Sequence, residues 1–516
     1  MEKRTRSQQT GLLVSFPLRV DRHGIIENMI RKRFCLLVVL LCFTTQVYAH
    51  DDDELFKLVE VKDGSSLSVI DCVATAFKNS PKIKRRKYNL DIAKSNVGIA
   101  KSQYFPVINA GVGFYNENNS DNIYYNPHYR ELPSVGVSVN KLVWNFGKTT
   151  AYIKMEEFYK IGAEYEFIDS LCSTVFDIKA KYYNLLKAQA LLEVADYNVK
   201  LNDSYVKLAK SKKKADLTTA ELNLSEAKVK QIEAKNNYNN ELVNLTNSMY
   251  LDSMPNFSIL NTKTFDFGEQ TITNPKSDKK DFTPEKFPFT EEQSIKIAYD
   301  NSPDLNVLNS TKQAMEQSLL YIKRTYLPDL SVRAGYGFNN SNQTTNNSLQ
   351  VGVNLSSNVN IMELRHSIKG ADAQLNLADN EILLFKKNLY FELKRAFNNI
   401  HRAENQIPTA KIEVLQSYDN LKLVEEQYSK NELNYVALQN ARKDYINALN
   451  GYIESLYNYN ISLIQLEMAM HFHIVDIHHK SEHAMQYHSK DLVEHLNRAL
   501  GCDENEAQPK KKRDRL

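Results

Sequence analysis

The segment that most resembles a reactive motif is Gly147-Lys148-Thr149. A glycine, a lysine and a hydroxyl residue in this order end the phosphate-binding loop of many nucleotide-binding proteins, whose backbone N–H groups hold the phosphates. That loop also requires a glycine five residues before Gly147, and Leu142 occupies this position. No nucleophile, base and orienting acid occur elsewhere at a recognisable spacing. The sequence therefore predicts no nucleotide site, no catalysis and no cofactor.

Histidines gather in the C-terminal segment 471–516, which ends in Lys510-Lys511-Lys512-Arg513. Clustered imidazoles can bind metal ions. Their spacing here fits no defined ligand set, and no cysteine or carboxylate pattern completes one. The sequence therefore predicts a polar belt or tail and no metal site.

Two short polar segments interrupt long helical patterns. The first is Lys212-Lys213-Lys214-Ala215-Asp216, and the second is Asn431 to Tyr435, which includes Asn434 and directly follows Lys430. Each is predicted to be the bend of a helical hairpin. A basic bend favours an anionic cargo or an acidic protein surface.

The helices and strands that position these segments occur as two similar copies along the chain. The pattern Asn-Ser-Pro, Lys, Tyr, Pro and Gly occurs in two copies at a constant offset without a gap, which indicates an internal two-fold repeat. The first copy is Asn79-Ser80-Pro81, Lys101, Tyr104, Pro106 and Gly113, and the second is Asn301-Ser302-Pro303, Lys323, Tyr326, Pro328 and Gly335. The proline of each copy predicts a break in a helix, because it disfavours helical geometry in the residue before it.

Alternating segments predict one β-hairpin in each copy, at 107–145 and 329–361, with polar loops at 116–133 and 339–348. In the second hairpin Arg333 and Asn354 fall on the faces that also carry serine and glycine. An arginine costs about 2–4 kcal/mol on a lipid face at mid-bilayer, whereas a wet lumen accepts it. Lys141 and Trp144 break the alternation, which indicates that the strand ends or bulges there. A soluble sandwich would show the same alternation.

Long helical hairpins are predicted at 147–250 and 363–469, with a kink at Pro408. The last helix has apolar or aromatic residues at nine of ten seam positions, and this seven-residue spacing predicts coiled-coil packing. The seam positions are Tyr435, Leu438, Arg442, Tyr445, Leu449, Tyr452, Leu456, Tyr459, Leu463 and Leu466.

The whole chain is therefore predicted to be mainly helical with a small β part. Its parts are an N-terminal extension and signal peptide (1–49), a first repeat (50–251), a linker (252–289), a second repeat (290–470) and the tail (471–516). A basic triplet, an apolar run and small residues before residue 50 support the signal peptide. The net charge of +3 gives no argument for nucleic acid.

Two hairpins supply four strands, and the smallest outer-membrane barrels need about eight. An open strand edge in lipid leaves backbone groups without partners, so a barrel requires several copies of the chain. Two other classes stay open. A secreted or periplasmic coiled-coil structural protein without a pore would explain the helices but not the paired strands, and a soluble enzyme would need a site that is not evident.

The sequence resembles the TolC-type outer-membrane efflux proteins over about residues 66–471. The resemblance rests on the doubled unit and on four motifs in a common order. They are Ser102-Gln103-Tyr104-Phe105-Pro106, Leu142-Val143-Trp144-Asn145-Phe146-Gly147-Lys148, Thr325-Tyr326-Leu327-Pro328, and Leu438-Gln439-Asn440-Ala441-Arg442 with Tyr445, Asn447 and Ala448.

The resemblance implies a homotrimer in the outer membrane of a Gram-negative bacterium, in contact with its lipid. Three chains would form one twelve-stranded β-barrel, continued into the periplasm by an α-helical coiled-coil barrel. The resemblance also implies that the trimer is the exit duct of a tripartite efflux pump or type I secretion system. Its partners would be a periplasmic adaptor and an inner-membrane transporter.

The family's periplasmic entrance corresponds to the two hairpin bends. Some members narrow it with aspartate rings, and this sequence has Ala437 and Asn440 at those positions. The pore-lining candidates are therefore Arg333, Asn354, Ala437 and Asn440. The candidates for the entrance and for adaptor docking are Lys212, Lys213, Lys214, Asp216, Lys430, Asn431, Asn434 and Tyr435.

Overall fold

The structure, a computed structural model, describes residues 61–116, 131–210, 214–260, 275, 287–340, 345–474 and 486–488. These residues form a mainly helical chain with a small β part, as predicted. The helices are α1 (Val69–Asn79), α2 (Pro81–Ser102), α3 (Lys148–Ala209), α4 (Lys214–Ser248), α5 (Glu291–Asn301), α6 (Pro303–Arg324), α7 (Ile361–Ser429) and α8 (Tyr435–Met470).

Eight strands form three sheets among the described residues. The largest sheet has the order β2-β3-β5-β6, and the short pairs are β1 with β4 and β7 with β8. The strands are β1 (Ser66–Leu67), β2 (Val107–Asn116), β3 (Glu131–Trp144), β4 (Ser258–Ile259), β5 (Asp329–Asn340), β6 (Thr345–Ser356), β7 (Phe472–Ile474) and β8 (Gln486–His488).

Both predicted helix breaks occur, and they share one geometry. Ser80 and Ser302 are extended, with φ/ψ of −63°/115° and −61°/114°. Each serine ends one helix and caps the next, because its hydroxyl accepts a hydrogen bond from the backbone three residues later, at 3.3 Å from Ile83 and 3.2 Å from Leu305. Each helix therefore restarts at a proline, whose missing N–H has no intrahelical role at that position.

The two predicted hairpins pair with each other to make the four-stranded antiparallel sheet. The strands extend further than expected. Pro133 pairs with Phe114 inside the first hairpin, and Asn339 pairs with Asn346 inside the second. The predicted loops were therefore too long, because polar residues near a hairpin tip still complete the ladder of backbone hydrogen bonds.

A β-bulge explains why Trp144 breaks the alternation, whereas Lys141 lies in the regular register on the face of Val139. Lys141 pairs with Val332 and Leu142 with Ser331, but Leu330 pairs with Trp144. Val143 is thus an extra residue on β3, which returns Trp144 to the face of Lys141. The predicted bulge is confirmed.

The helical core centres on the seam of α8. Nine of the ten predicted seam residues are buried, and Tyr452 is partly buried. The helix packs mainly against α7 and α3. Helix α7 continues through Pro408, so this proline does not end it. None of the described helices combines the length and apolar composition needed to cross a membrane.

Candidate functional site: the strand faces, the strand–helix junction and the hairpin bends

The register of the four-stranded sheet divides its side chains into two faces, because residues directly opposite each other point the same way. One face is largely apolar. Its rows are Ile108–Val139–Ala334–Val351, Ala110–Val137–Tyr336–Leu349 and Lys141–Val332–Val353. The other face is largely polar or small. Its rows are Asn109–Ser138–Gly335–Gln350, Gly111–Gly136–Gly337–Ser348, Val107–Asn140–Arg333–Gly352 and Leu142–Ser331–Asn354.

The polar face has little side-chain bulk. All glycines of the four strands lie on it, namely Gly111, Gly113, Gly136, Gly335, Gly337 and Gly352. Arg333 and Asn354 occupy the same face and are exposed. The structure therefore places these two predicted residues together on the polar side of the sheet.

The Gly147-Lys148-Thr149 segment forms the junction between β3 and α3. Gly147 has φ +79°, and a Cβ at this position would lie 2.6 Å from Nη1 of Arg324. That nitrogen donates a hydrogen bond to the carbonyl oxygen of Gly147 at 3.0 Å. Glycine is therefore required both for the left-handed backbone and for the close approach of the guanidinium group.

Lys148 ties this junction to the second copy of the repeat pattern. Its Nζ donates to the carbonyl oxygen of Leu327 at 2.9 Å and lies 2.6 Å from Oδ1 of Asp329. Thr149 Oγ1 donates to Oε1 of Gln103 at 3.0 Å. The polar groups of the motif therefore bind the protein itself and hold the strand–helix junction to the second copy. Sequence reasoning missed the role of Lys148, although Asp329 directly follows the repeated Pro328.

The hairpin bends meet around Tyr428. Lys212 and Lys213 lie outside the described residues, whereas Lys214 and Asp216 open α4. The Tyr428 ring packs edge-on against that of Tyr435 at 5.9 Å. Burial, and then the negative charge of Asp216, raise the pKa of the Tyr428 hydroxyl to about 12. The structure thus brings Asp216 of the first bend and Tyr435 of the second next to the same residue, Tyr428.

The second bend has its own local contacts. Asn431 adopts φ +64°, and Asn434 caps α8 by accepting a hydrogen bond from the Ala437 backbone at 3.0 Å. Lys430 forms an ion pair with Glu426 at 2.6 Å. One turn into α8, Asn440 is exposed and Ala437 is half-buried.

A polar network that the sequence did not predict joins the hairpins above the bends. Arg442, the polar member of the α8 seam, is buried and donates to Oδ1 of Asn198 at 3.2 Å and to Oδ1 of Asn202. Gln439 donates to Oδ1 of Asn223 at 2.6 Å. A buried polar residue in a coiled-coil seam fixes the register of the packed helices. The interrupted apolar pattern at position 442 was the available signal.

A cluster of charges joins α2, α3 and α6. Arg86 forms an ion pair with Glu166 at 2.5 Å, and Lys82 approaches the same stretch of α3. Burial and, after it, the charge of Asp304 raise the pKa of Asp169 to about 6, against the opposing charges of Lys82 and Arg86. The ionised form of Asp169 is therefore less stable in the folded chain than in the unfolded chain.

The histidine-rich tail is described only at its start and at β8. Burial lowers the pKa of His471, which ends α8, while the charge of Asp304 opposes this shift. The described residues contain no group of three or more potential ligands arranged to hold a metal ion. The other histidines of the tail, apart from His473 and His488, lie outside the described residues.

Replacing Asp169 by asparagine is expected to stabilise the protein at pH 7.5 by about 1–2 kcal/mol, once solvent screening is allowed for. The folded-state pKa is raised, so the protonated form stabilises the fold below pH 4, and this stabilisation disappears as the pH rises to about 6. Asp169→Asn should therefore raise the thermal midpoint in detergent at pH 7.5 and change it little at pH 4. The exposed Asp177 on the same helix provides the control Asp177→Asn. Equal shifts at both pH values would contradict the assignment.

Comparisons with known proteins agree with this geometry. Residues 73–249 match the sequence model of the outer membrane efflux protein family. No curated protein sequence matches the chain. The fold is similar to that of the Campylobacter jejuni CmeC outer membrane channel, with 16% identity, a TM-score of 0.65, and coverage of 81% of this chain and 91% of that one.

Two further solved structures show the same likeness. The fold matches that of CusC with 13% identity, a TM-score of 0.67, and coverage of 80% of this chain and 95% of that one. The Vibrio cholerae outer membrane protein VceC gives 12% identity, a TM-score of 0.62, and coverage of 78% and 95%. Residues 73–249 are thus similar in sequence to the outer membrane efflux protein family, and the fold of the chain is that of the outer membrane channels it was compared with.

Proposed function

We propose that the chain is the outer-membrane channel of an efflux or secretion system and that it conducts its cargo passively. The proposal rests on the edges of the four-stranded sheet and of the packed helices, which are open on the same two sides of the chain. The sheet order leaves β2 and β6 as edge strands. In lipid, the unpaired backbone groups of such edges must pair with other strands.

The helices continue these two edges. Helices α2 and α4 pack mainly on α3, and α7 packs mainly on α6 and α8. Helix α2 leads directly into β2, and β6 leads directly into α7. One side of the chain therefore carries α2, β2 and α4, and the opposite side carries β6 and α7.

Both helical edges present exposed apolar side chains spaced by multiples of seven residues. They are Leu222, Val229 and Val243 on α4, and Leu377, Leu384, Phe391 and Ile412 on α7. A stripe with this spacing suits coiled-coil packing against another helix. Head-to-tail association of copies buries both stripes and pairs β6 with β2 of the next copy in one closed ring. Three copies give the twelve-stranded barrel and the helical tube that the resemblance implies.

Aromatic side chains surround the strand–helix junctions. Tyr104, Phe105, Trp144 and Tyr326 are exposed there. Aromatic residues of this kind form girdles where outer-membrane barrels meet the lipid headgroups. Their position supports a membrane boundary at the junctions, with the strands in the outer membrane of a Gram-negative bacterium and the helices in the periplasm.

The partners proposed for the chain are a periplasmic adaptor, docked at the hairpin bends, and an inner-membrane transporter that supplies the energy. The chain itself is proposed to be no enzyme, and the system to be either a tripartite pump or a type I secretion apparatus. The glycine-lined polar face would line the upper pore, and Ala437 and Asn440 the periplasmic entrance.

Fractionation and electrophysiology test this function. The protein should be found in the outer membrane, migrate as a heat-sensitive trimer and conduct ions in a planar bilayer. A soluble protein without conductance would instead support a coiled-coil structural protein.

The basic first bend gives a separate prediction. Replacing Lys212, Lys213 and Lys214 together by glutamate should weaken adaptor binding or anionic cargo transport by about tenfold, because it reverses the charge of the docking surface. Transport assays and pull-down with the adaptor measure the effect. The matched control replaces the exposed Lys228, Lys230 and Lys235 of α4, which lie away from the bend. Unchanged transport and ion selectivity in the first variant would contradict a role for the bend charges.

A further inference from the structure

The polar face of the sheet has few charged side chains. Within the described strands it carries two charged side chains, Arg333 and Asp329. Asp329 is bound by Lys148 at 2.6 Å at the strand–helix junction. None of the described carboxylates forms an ion pair with Arg333, so its charge is uncompensated on this face.

The surroundings of Arg333 leave its guanidinium group accessible. Its direct neighbours across the sheet are Asn140 and Gly352. A Cβ at Gly352 would meet no atom within 4 Å. The rows on either side contribute Leu142 and residues of the types serine, asparagine, glutamine and glycine, all of which are uncharged. Arg333 is therefore the long charged side chain on a surface of short or uncharged ones.

Arginine keeps its charge at every pH relevant to the protein, and its planar fork of donors binds carboxylate, phosphate and sulfate groups. A charge inside a narrow, low-dielectric passage attracts counter-ions more strongly than the same charge on an open surface. Association of the chain around a central axis would bring one Arg333 from each copy to the same height.

We propose that Arg333 forms a cationic ring in the β-barrel lumen that makes the channel selective for anions, both inorganic anions and cargo bearing carboxylate or phosphate groups. The inference rests on the proposed channel function and adds a charge preference to it. The ring lies in the strand region, far along the chain from the basic bend at 212–214.

The test is the reversal potential of the channel in planar bilayers under a potassium chloride gradient. Wild type should favour chloride over potassium. Arg333→Gln should lower the chloride-to-potassium permeability ratio by about twofold or more, and Arg333→Glu should favour potassium. Arg333→Lys keeps the charge and should keep the preference for chloride. High salt should reduce all these differences, because it screens the ring.

Lys141→Gln is the matched control. It removes the same unit charge, and Lys141 pairs with Val332, the residue next to Arg333, but it lies on the apolar face. Its selectivity should equal that of wild type. Equal selectivity of wild type and Arg333→Gln, or an equal loss in Lys141→Gln, would overturn the inference and leave the channel function intact. A wild-type protein without any conductance would instead overturn the channel function.

Discussion

Val351→Arg is expected to prevent the chain from inserting stably into the outer membrane. Val351 lies near the middle of β6 in the apolar row with Ala334 and Val139, and its side chain is 72% exposed in the single chain. In the proposed barrel this surface faces lipid. An arginine at mid-bilayer costs about 2–4 kcal/mol, and each copy in the assembly would contribute this cost.

The neighbouring Gln350 supplies the control. It pairs with Gly335 on the polar face, so Gln350→Arg adds the same side chain one residue away but toward the lumen. Quantitative fractionation of the outer membrane, followed by heat-dependent migration on gels, compares the two variants. Val351→Arg should be depleted from the membrane, and Gln350→Arg should match wild type. Equal insertion of both variants would show that the apolar face does not contact lipid.

Local patterns in the sequence predicted most of the helices and strands. The helix breaks at Pro81 and Pro303 follow from the geometry that proline imposes on the preceding serine, which is a local property. The α8 seam follows from its seven-residue spacing, which one helix displays by itself. The strand alternation likewise depends on each strand alone, so it did not reveal that the two hairpins pair through β3 and β5.

The contacts that sequence reasoning missed join residues far apart in the chain. Lys148 binds Asp329, and Arg442 binds Asn198. The sequence around Lys148 or Arg442 does not identify either partner. The cluster at Asp169 is of the same kind, because the pKa of this residue is raised first by burial among packed helices and then by the charge of Asp304 in another helix. The hairpin bends were predicted where the helical pattern stops, but the approach of Asp216 and Tyr435 to Tyr428 required the structure.

The sequence predicts which face of a strand or helix a residue lies on more readily than it predicts what packs against that face. Arg333 was assigned to a polar face from the alternation of β5 alone, and the pairing with Asn140 and Gly352 agrees with that assignment. In the proposed assembly another copy of the chain covers the exposed stripe on α7, and no property of a single sequence stretch identifies such a neighbour. The stripe therefore provides the most direct test of assembly.

The double variant Leu384→Glu, Phe391→Glu is expected to abolish the trimer. Both side chains are exposed in the single chain, at 57% and 59%, and lie seven residues apart on the open edge of α7. Association would bury them against the next copy. Each substitution removes about 1.5–3 kcal/mol of apolar burial per site and places a charge where water is excluded, so every interface of the ring loses several kcal/mol.

Cross-linking and size-exclusion chromatography in detergent should show a monomer for this double variant and a trimer for wild type. The matched control, Gln374→Glu with Asn388→Glu, adds the same two charges at exposed polar positions of α7, beside the existing Glu381. It should assemble normally, because it leaves the apolar stripe intact and its two positions lie seven residues on either side of Glu381, which already carries the same charge on that line of the helix. Circular dichroism separates the two possible causes of a lost trimer. An assembly defect leaves the helical signal of the monomer intact, since Leu384 and Phe391 are both more than half exposed in the single chain, whereas unfolding removes it. A stable trimer of the double variant would show that the α7 edge is not an interface, and closure of the sheet alone would then have to hold the copies together.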